Sequence, residues 1–245
     1  MASHIVSSYE DELKYIVRRI SEMGGQAERM LEQAVTALVR GDAGLAQSVI
    51  ADDVMLDSAQ REVDEKAIMT IAKRQPMAID LREIVGAIRI SNDLERIGDL
   101  AKNIAKRVLA VHHHAQPSQL VRGIEHLSEL AVDQLKDVLD AYGERDHERA
   151  IAVRDKDEEI DAVYTSIFRE LLTYMMEDPR NITSCTHLLF SAKNIERIGD
   201  HATNIAETIY YIRTGEEMKP DRPKGDRSAT VTQKSVEEAV EGATG

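Results

Sequence analysis

Apolar residues at Leu13, Ile16, Val17, Ile20, Met23, Ala27, Met30, Leu31, Ala34 and Leu38 advance by steps of three and four. That spacing paints one face of an α-helix. Gly41-Asp42 interrupts it. A second run of the same period covers about 44–73 and stops at Gln75-Pro76. A third runs over about 78–111, with its seam at Ile84, Ala87, Ser91, Leu94, Gly98, Ala101, Ala105 and Val108. His112-His113-His114-Ala-Gln-Pro117 follows.

The second part of the chain repeats this plan. Helical periodicity covers about 118–142 and breaks at Gly143, resumes over 147–176 before Asp178-Pro179, and returns over 182–213 before Gly215. The punctuation corresponds, Gly41 with Gly143 and Pro76 with Pro179. A local repeat confirms the correspondence. Glu95-Arg96-Ile97-Gly98-Asp99 recurs as Glu196-Arg197-Ile198-Gly199-Asp200, and Ala101, Asn103, Ile104 and Ala105 recur as Ala202, Asn204, Ile205 and Ala206, always 101 residues later. A block kept in two diverged halves signals a duplicated unit. The expectation is an all-α protein of six helices, forming two tandem antiparallel three-helix bundles related by internal duplication. The first spans 1–114 and the second 115–215. Residues 216–245 are polar, carry two prolines and lack apolar periodicity until Val236–Val240, so they read as a disordered tail.

Composition narrows the function. A net charge of −13 argues against non-specific binding to nucleic acid or an anionic bilayer, both of which need cationic excess. It suits cation binding. No apolar run reaches the ~18 residues of a membrane helix, and the N-terminus lacks the layout of a signal peptide. Cys185 stands alone, so it forms neither an internal disulfide nor a CxxC metal site, and reads as a small buried residue. Together these features point to a cytoplasmic soluble protein.

The candidate chemistry lies in carboxylate pairs. Glu95 with Asp99, and Glu196 with Asp200, are four apart and share a helix face. The preceding helix of each half carries Asp53 with Asp57, and Asp157 with Asp161, at the same spacing. Asp57 lies 19 residues before Pro76 and Glu95 lies 19 after it, while Asp53 and Asp99 lie 23 to either side. Around Pro179, Asp161 and Glu196 lie 18 before and 17 after, and Asp157 and Asp200 lie 22 before and 21 after. Equal counts from the turn of a helical hairpin reach equal height, at roughly 1.5 Å per residue. Each half therefore brings four carboxylates level on neighbouring helices, flanking the groove one position off the apolar seam. Such all-oxygen sites suit Mg²⁺, Ca²⁺, Mn²⁺ or oxidised iron rather than a closed structural zinc site. The competing reading is a solvated face neutralised by Arg96, Lys102 and Arg197. Glu28 with Glu32, and Glu129 with Asp133, offer a third side to each site.

Other features read more plainly. Gly98 and Gly199 sit inside helices, where glycine costs about 1 kcal/mol relative to alanine, and a close helix approach is one reason to keep them. Asn103 and Asn204 read as helix-surface amides. His112, His113 and His114 read as a solvated linker. Di-iron bundle enzymes need Glu-x-x-His on facing helices, and the best match, Glu144-x-x-His147, falls at a helix break without a duplicate. No phosphate loop or nucleophile elbow is present.

The chain resembles the PhoU family of phosphate-transport-system regulatory proteins over about residues 5–214. The marks are Arg74-Gln75-Pro76-x-Ala78-x-Asp80-Leu81-Arg82 followed by Leu94-Glu-Arg-Ile-Gly-Asp99, then Tyr174-Met-Met-Glu-Asp-Pro179 followed by Ile195-Glu-Arg-Ile-Gly-Asp200. The resemblance implies tandem three-helix bundles with metal clusters on (Glu/Asp)-x-x-x-Asp motifs, here Glu95/Asp99, Glu196/Asp200, Asp53/Asp57 and Asp157/Asp161. It also implies an adaptor and negative regulator of the phosphate-starvation response. Such an adaptor couples the ATP-binding subunit of a phosphate ABC transporter to a sensor histidine kinase. Where Asp80-Leu81-Arg82 falls in the first half, the second reads Thr183-Ser184-Cys185, so a partner contact through Asp80 and Arg82 belongs to the first half only. Carboxylates alone do not distinguish magnesium, manganese, iron or zinc.

The adaptor reading expects no turnover and no catalytic residue, a homodimer or larger assembly, and protein partners. A carboxylate-bridged metalloenzyme needs instead an enclosed site with a proton donor such as histidine. A purely structural bundle needs neither metal nor partner.

Overall fold

The computed structural model describes residues 2–111 and 118–218, with side chains described over 9–110 and 121–218. His112 to His114, the join at 112–117 and the tail from residue 219, with its Val236–Val240 run, lie outside the described residues. Every described regular element is helical. In chain order they are α1 (Ala2–Arg40), α2 (Ala43–Arg74), α3 (Ile79–Val111), α4 (Ser118–Glu144), α5 (His147–Asp155), α6 (Asp157–Glu177) and α7 (Ile182–Thr214), with a single 3₁₀ turn, Pro179–Asn181, before α7.

The turns follow from local chemistry. Gly41 takes φ 64°, and Asp42 caps α2 by accepting from the Leu45 N–H at 3.0 Å. Gln75 closes α2 in the left-handed region, its N–H returning to the Ile71 carbonyl. The second half departs from the expected break at Gly143. Helix α4 runs on to Glu144, and the positive φ falls on Arg145, at 58°. Asp146 then caps α5 by accepting from the N–H groups of Glu148 and Arg149. A strong cap three residues later moved the turn off the glycine.

The single helix expected over 147–176 is two, α5 and α6, with Lys156 between them. No apolar side chain falls between Val153 and Ile160, so two turns of the inner face lack hydrophobic anchorage. Asp157 occupies that face instead and is buried. Asp157, Glu158 and Glu159 in the first turn of α6 suit the positive end of its dipole.

Within each half the long helices pack side by side, α1 and α2 on α3, and α4, α5 and α6 on α7. The halves join through α3 against α7 and α1 against α4. Arg82 meets the end of α7 by donating to the Ile212 carbonyl, Asp93 meets His201, and Arg107 stacks 4.3 Å over the Phe190 ring. These pairings run in opposite directions, so α3 and α7 are antiparallel. Gly86 permits the contact: a Cβ there would overlap Ile212. The core is aliphatic, with Ile20, Leu31, Ile90, Leu94 and Ile97 almost wholly excluded from solvent. Burying each such side chain is worth about 1.5–3 kcal/mol.

One ion pair fastens the start of α1 to the end of α2. Arg74 donates to both oxygens of Glu12, from Nε at 3.0 Å and Nη2 at 3.3 Å. The Arg74 hydrogen bond holds the Glu12 carboxyl below the usual carboxylate range. A depressed folded-state pKa gives stability that is present above the unfolded value and lost as pH falls through the folded one. Glu12→Gln is therefore expected to lower stability by up to about 1 kcal/mol at neutral pH, as for near-surface pairs. The difference from the parent should shrink as pH falls below the ordinary glutamate value of about 4.3 and vanish only below the depressed folded-state value. Chemical denaturation across pH checks this, and a gap that persists at low pH would assign the effect to packing.

Candidate functional site

Asp53 and Leu56 lie on the inner face of α2, in the seam that continues through Val49 and Val63. Asp53 is thus a carboxylate at a core position. Lys102 of α3 meets it, Nζ donating to Asp53 Oδ2 at 2.5 Å and to Asp99 Oδ1 at 2.5 Å. This bridge confirms that Asp53 and Asp99 stand level on facing helices. Glu95 belongs to the same cluster. Its carboxyl is pushed up chiefly by burial and further by Asp99, Asp57 and Asp53, with Arg96 opposing. Burial alone would lower the Lys102 ammonium, but the hydrogen bonds it donates to Asp53 and Asp99 outweigh this and raise it well above the ordinary lysine value. Gly98 lets α2 close on α3, since a Cβ there would strike Leu56 Cδ2.

In the second half the carboxylates sink deeper. Asp157, Asp161 and Glu196 are 2, 4 and 4 % exposed. They were expected to flank the groove, but Asp157 and Asp161 lie on the buried face of α6 and Glu196 on that of α7. Gln134 of α4 donates to Asp157 Oδ1 at 3.2 Å, and the Thr203 hydroxyl donates to the same oxygen at 3.3 Å. Lys193 donates to Glu196 Oε1 at 2.8 Å. Burial is the main cause that pushes the Glu196 carboxyl up; Lys193 opposes it, and Asp200 and Asp161 add to it. Glu196, Asp161 and Asp200 therefore gather, and Asp157 lies with Gln134 and Thr203 beside Gly199.

Among the described residues, no three His, Cys, Asp or Glu side chains already stand in a metal-ligating arrangement. The carboxylates are turned to lysine, glutamine and threonine. Glu28 and Glu32 do not extend the first cluster: both reach Lys136 of α4, at 3.1 and 3.5 Å, on the α1–α4 seam. Glu129 approaches His126 on its own helix. The histidine nearest the repeated motif, His201, points away to Asp93, its Nδ1 2.9 Å from Oδ1. Asn204 is an exposed helix-surface amide, as expected, and from there it also donates to Asp93 across the halves at 3.4 Å. Glu144 pairs with Arg149, and Cys185 is fully buried.

Asp80 and Arg82 start α3 at the other junction of the halves. Asp80 lines a cavity of about 820 Å³ with Tyr9, Glu83, Tyr142, Arg145 and Arg213. Burial first, then Asp80, pushes the Tyr9 hydroxyl up to about 12. Arg145 and Arg213 hold Glu83 from two sides. Beside this cavity, Met77, Ile79 and Leu81 are exposed, Met77 to 80 %. Sequence reading missed Gln134 and Thr203, whereas Lys102 was expected among the neutralising cations and does bridge Asp53 and Asp99. The seam position of Asp53 and Asp157, each between apolar neighbours at helical spacing, was the available signal.

Two helical-bundle halves, each carrying a carboxylate cluster on a hairpin of helices, define a duplicated α-helical protein of the kind matched by the PhoU domain model, which covers residues 20–108 and 124–209. The chain belongs to the PhoU family. A phosphate-specific transport system accessory protein PhoU homolog of Rhizobium meliloti is 66 % identical over 229 residues, 94 % of this chain and 97 % of the relative. That of Caulobacter vibrioides is 54 % identical, over 92 % of this chain and 98 % of the relative. The crystal structure of PhoU from Pseudomonas aeruginosa matches with a TM-score of 0.82 at 36 % identity, over 85 % of this chain and all of that one. The phosphate transport system regulatory protein PhoU from Streptococcus pneumoniae matches at 0.80 and 26 % identity, over 86 % of this chain and 99 % of that one. Among the described residues no helix is long and apolar enough to cross a membrane.

Proposed function

We propose that this chain is an accessory regulator of a phosphate-specific transport system. It acts in the cytoplasm as a negative regulator of the phosphate-starvation response, linking the transporter's ATP-binding subunit to a sensor histidine kinase. The observation that carries this reading is the near full-length identity with relatives named as accessory proteins of that system. The surface supports it. Val54, Met55, Ile68 and Met69 are exposed along α2, and Met77, Ile79 and Leu81 around the next turn. Exposed apolar patches of this kind suit protein partners, including a second copy of the chain. Asp80 and Arg82 stand next to the second patch, although Arg82 is partly engaged by the end of α7. Membrane contact comes only through those partners.

The carboxylate clusters are read as sites for hard cations. In the second half the residues fit: the donors are oxygens, and the buried Glu196 Oε2 has no hydrogen-bond partner. Asp157, Asp161, Glu196 and Asp200 would hold the ion, which would neutralise them and pin α6 to α7. In the first half the corresponding acids are Asp53, Asp57, Glu95 and Asp99, and Lys102 already stands among them. A regulatory protein needs nothing more from these residues than binding and orientation.

Deleting the gene should leave phosphate-starvation promoters active in phosphate-rich medium, read with a transcriptional reporter. Normal repression in the deletion strain would refute the regulatory reading. Capture of the tagged chain should retain the transporter ATP-binding subunit and the kinase.

A further inference from the structure

The two clusters differ at the point where a cation would sit. Position 102 is lysine, and its counterpart 101 residues later is Thr203. In the first half an ammonium group lies between carboxylates of two facing helices, with the Lys102 side chain 19 % exposed and that of Asp53 8 %. A buried carboxylate needs a paired charge or a metal, and Lys102 fills that need from within the chain. A metal ion entering there would have to expel it.

The second half offers the reverse. Thr203 brings a hydroxyl and no charge. Two buried oxygens have no hydrogen-bond partner, Glu196 Oε2 and Gln134 Oε1. Gln134 is 2 % exposed and comes from α4, so it is independent of the acid motif. Its Oε1 lies 3.1 Å from the point where a Cβ on Gly199 would stand, and Asp157 Oδ1 lies 3.3 Å from the same point. Both oxygens thus face the notch over Gly199. Leaving a buried acceptor unsatisfied costs about 1–3 kcal/mol. Amide and carboxylate oxygens together make a donor set for a hard cation. Lys193 approaches from the rim, 38 % exposed and lying 4.9 Å over the Tyr164 ring.

We propose that the duplicated clusters are unequal: Lys102 serves as the resident cation of the first, and the second takes up the metal ion, with the Gln134 amide oxygen beside Asp157. This rests on the reading of the clusters as metal sites. The test is Mn²⁺ binding to the full chain, followed by the electron paramagnetic resonance of free Mn²⁺, with elemental analysis of the protein as purified. The parent should lose its retained metal when Glu196→Gln is combined with Asp200→Asn, and keep it when Glu95→Gln is combined with Asp99→Asn. Lys102→Thr should gain metal that the latter pair of substitutions removes. Thr203→Lys should lose the metal of the second cluster. Circular dichroism establishes that each variant is folded, and Thr203→Lys tests the idea without leaving acids unpaired. Equal loss from either acid pair, with no gain in Lys102→Thr, would overturn the inequality while leaving metal binding intact. No retained metal in the parent or any variant would overturn both.

Discussion

Lys102→Met should lose about 2–4 kcal/mol of unfolding free energy in metal-free buffer. Removing one partner of a buried ion pair typically costs 3–5 kcal/mol because the other charge is left uncompensated, and the range is lowered here because Lys102 is partly exposed. Asp53 sits in the apolar seam of α2, and the Lys102 ammonium joins it to Asp99 across the hairpin. Without that group, Asp53, Asp57, Glu95 and Asp99 face one another with Arg96 only at the rim, 3.5 Å from Asp99 and 65 % exposed. Urea unfolding followed by circular dichroism measures the loss. A change below about 0.5 kcal/mol, the size expected at an ordinary surface position, would show that the bridge is not structural. A ligand that binds only the folded state adds about 2.7 kcal/mol at a hundredfold excess over its dissociation constant, so Mn²⁺ should restore much of the deficit.

Leu56→Ala is expected to lower stability by about 2–5 kcal/mol, the range for a fully buried leucine. Leu56 is completely buried and its Cδ2 fills the space above Gly98. Gly98→Ala alone puts a methyl into that space. The overlap costs about 1–3 kcal/mol, partly offset by about 1 kcal/mol of helix propensity. The double variant should be more stable than the sum of the two losses, because the new methyl enters the cavity that the leucine leaves. Contacting residues show such coupling at about 0.5–3 kcal/mol. Strict additivity in urea melts would mean that the two positions do not share a space.

The helices and their pairing were legible because a long helix must bury one stripe, and the stripe is written at every third or fourth residue. Level carboxylates followed from counting along two rigid arms, and the Lys102 bridge between Asp53 and Asp99 agrees with that count. What escaped notice depends on tertiary geometry. Arg145 took the turn expected at Gly143 because Asp146 offered two cap hydrogen bonds. The break at Lys156 follows from an aspartate drawn inward by Gln134, a residue on another helix. Burial of the second cluster and the exchange of Lys102 for Thr203 were visible as letters. Their meaning needed the facing helix.

The antiparallel run of α3 along α7 sets a distance as well as a contact. Each helix has 33 residues, and at 1.5 Å per residue that is about 50 Å. The turn at Pro76 begins one helix and the turn at Pro179 begins the other, so the two turns lie at opposite poles. Met77 marks one pole and Met176 the other, exposed to 80 % and 85 %. The α3–α7 pair is therefore a strut that keeps these two exposed methionines about a helix length apart.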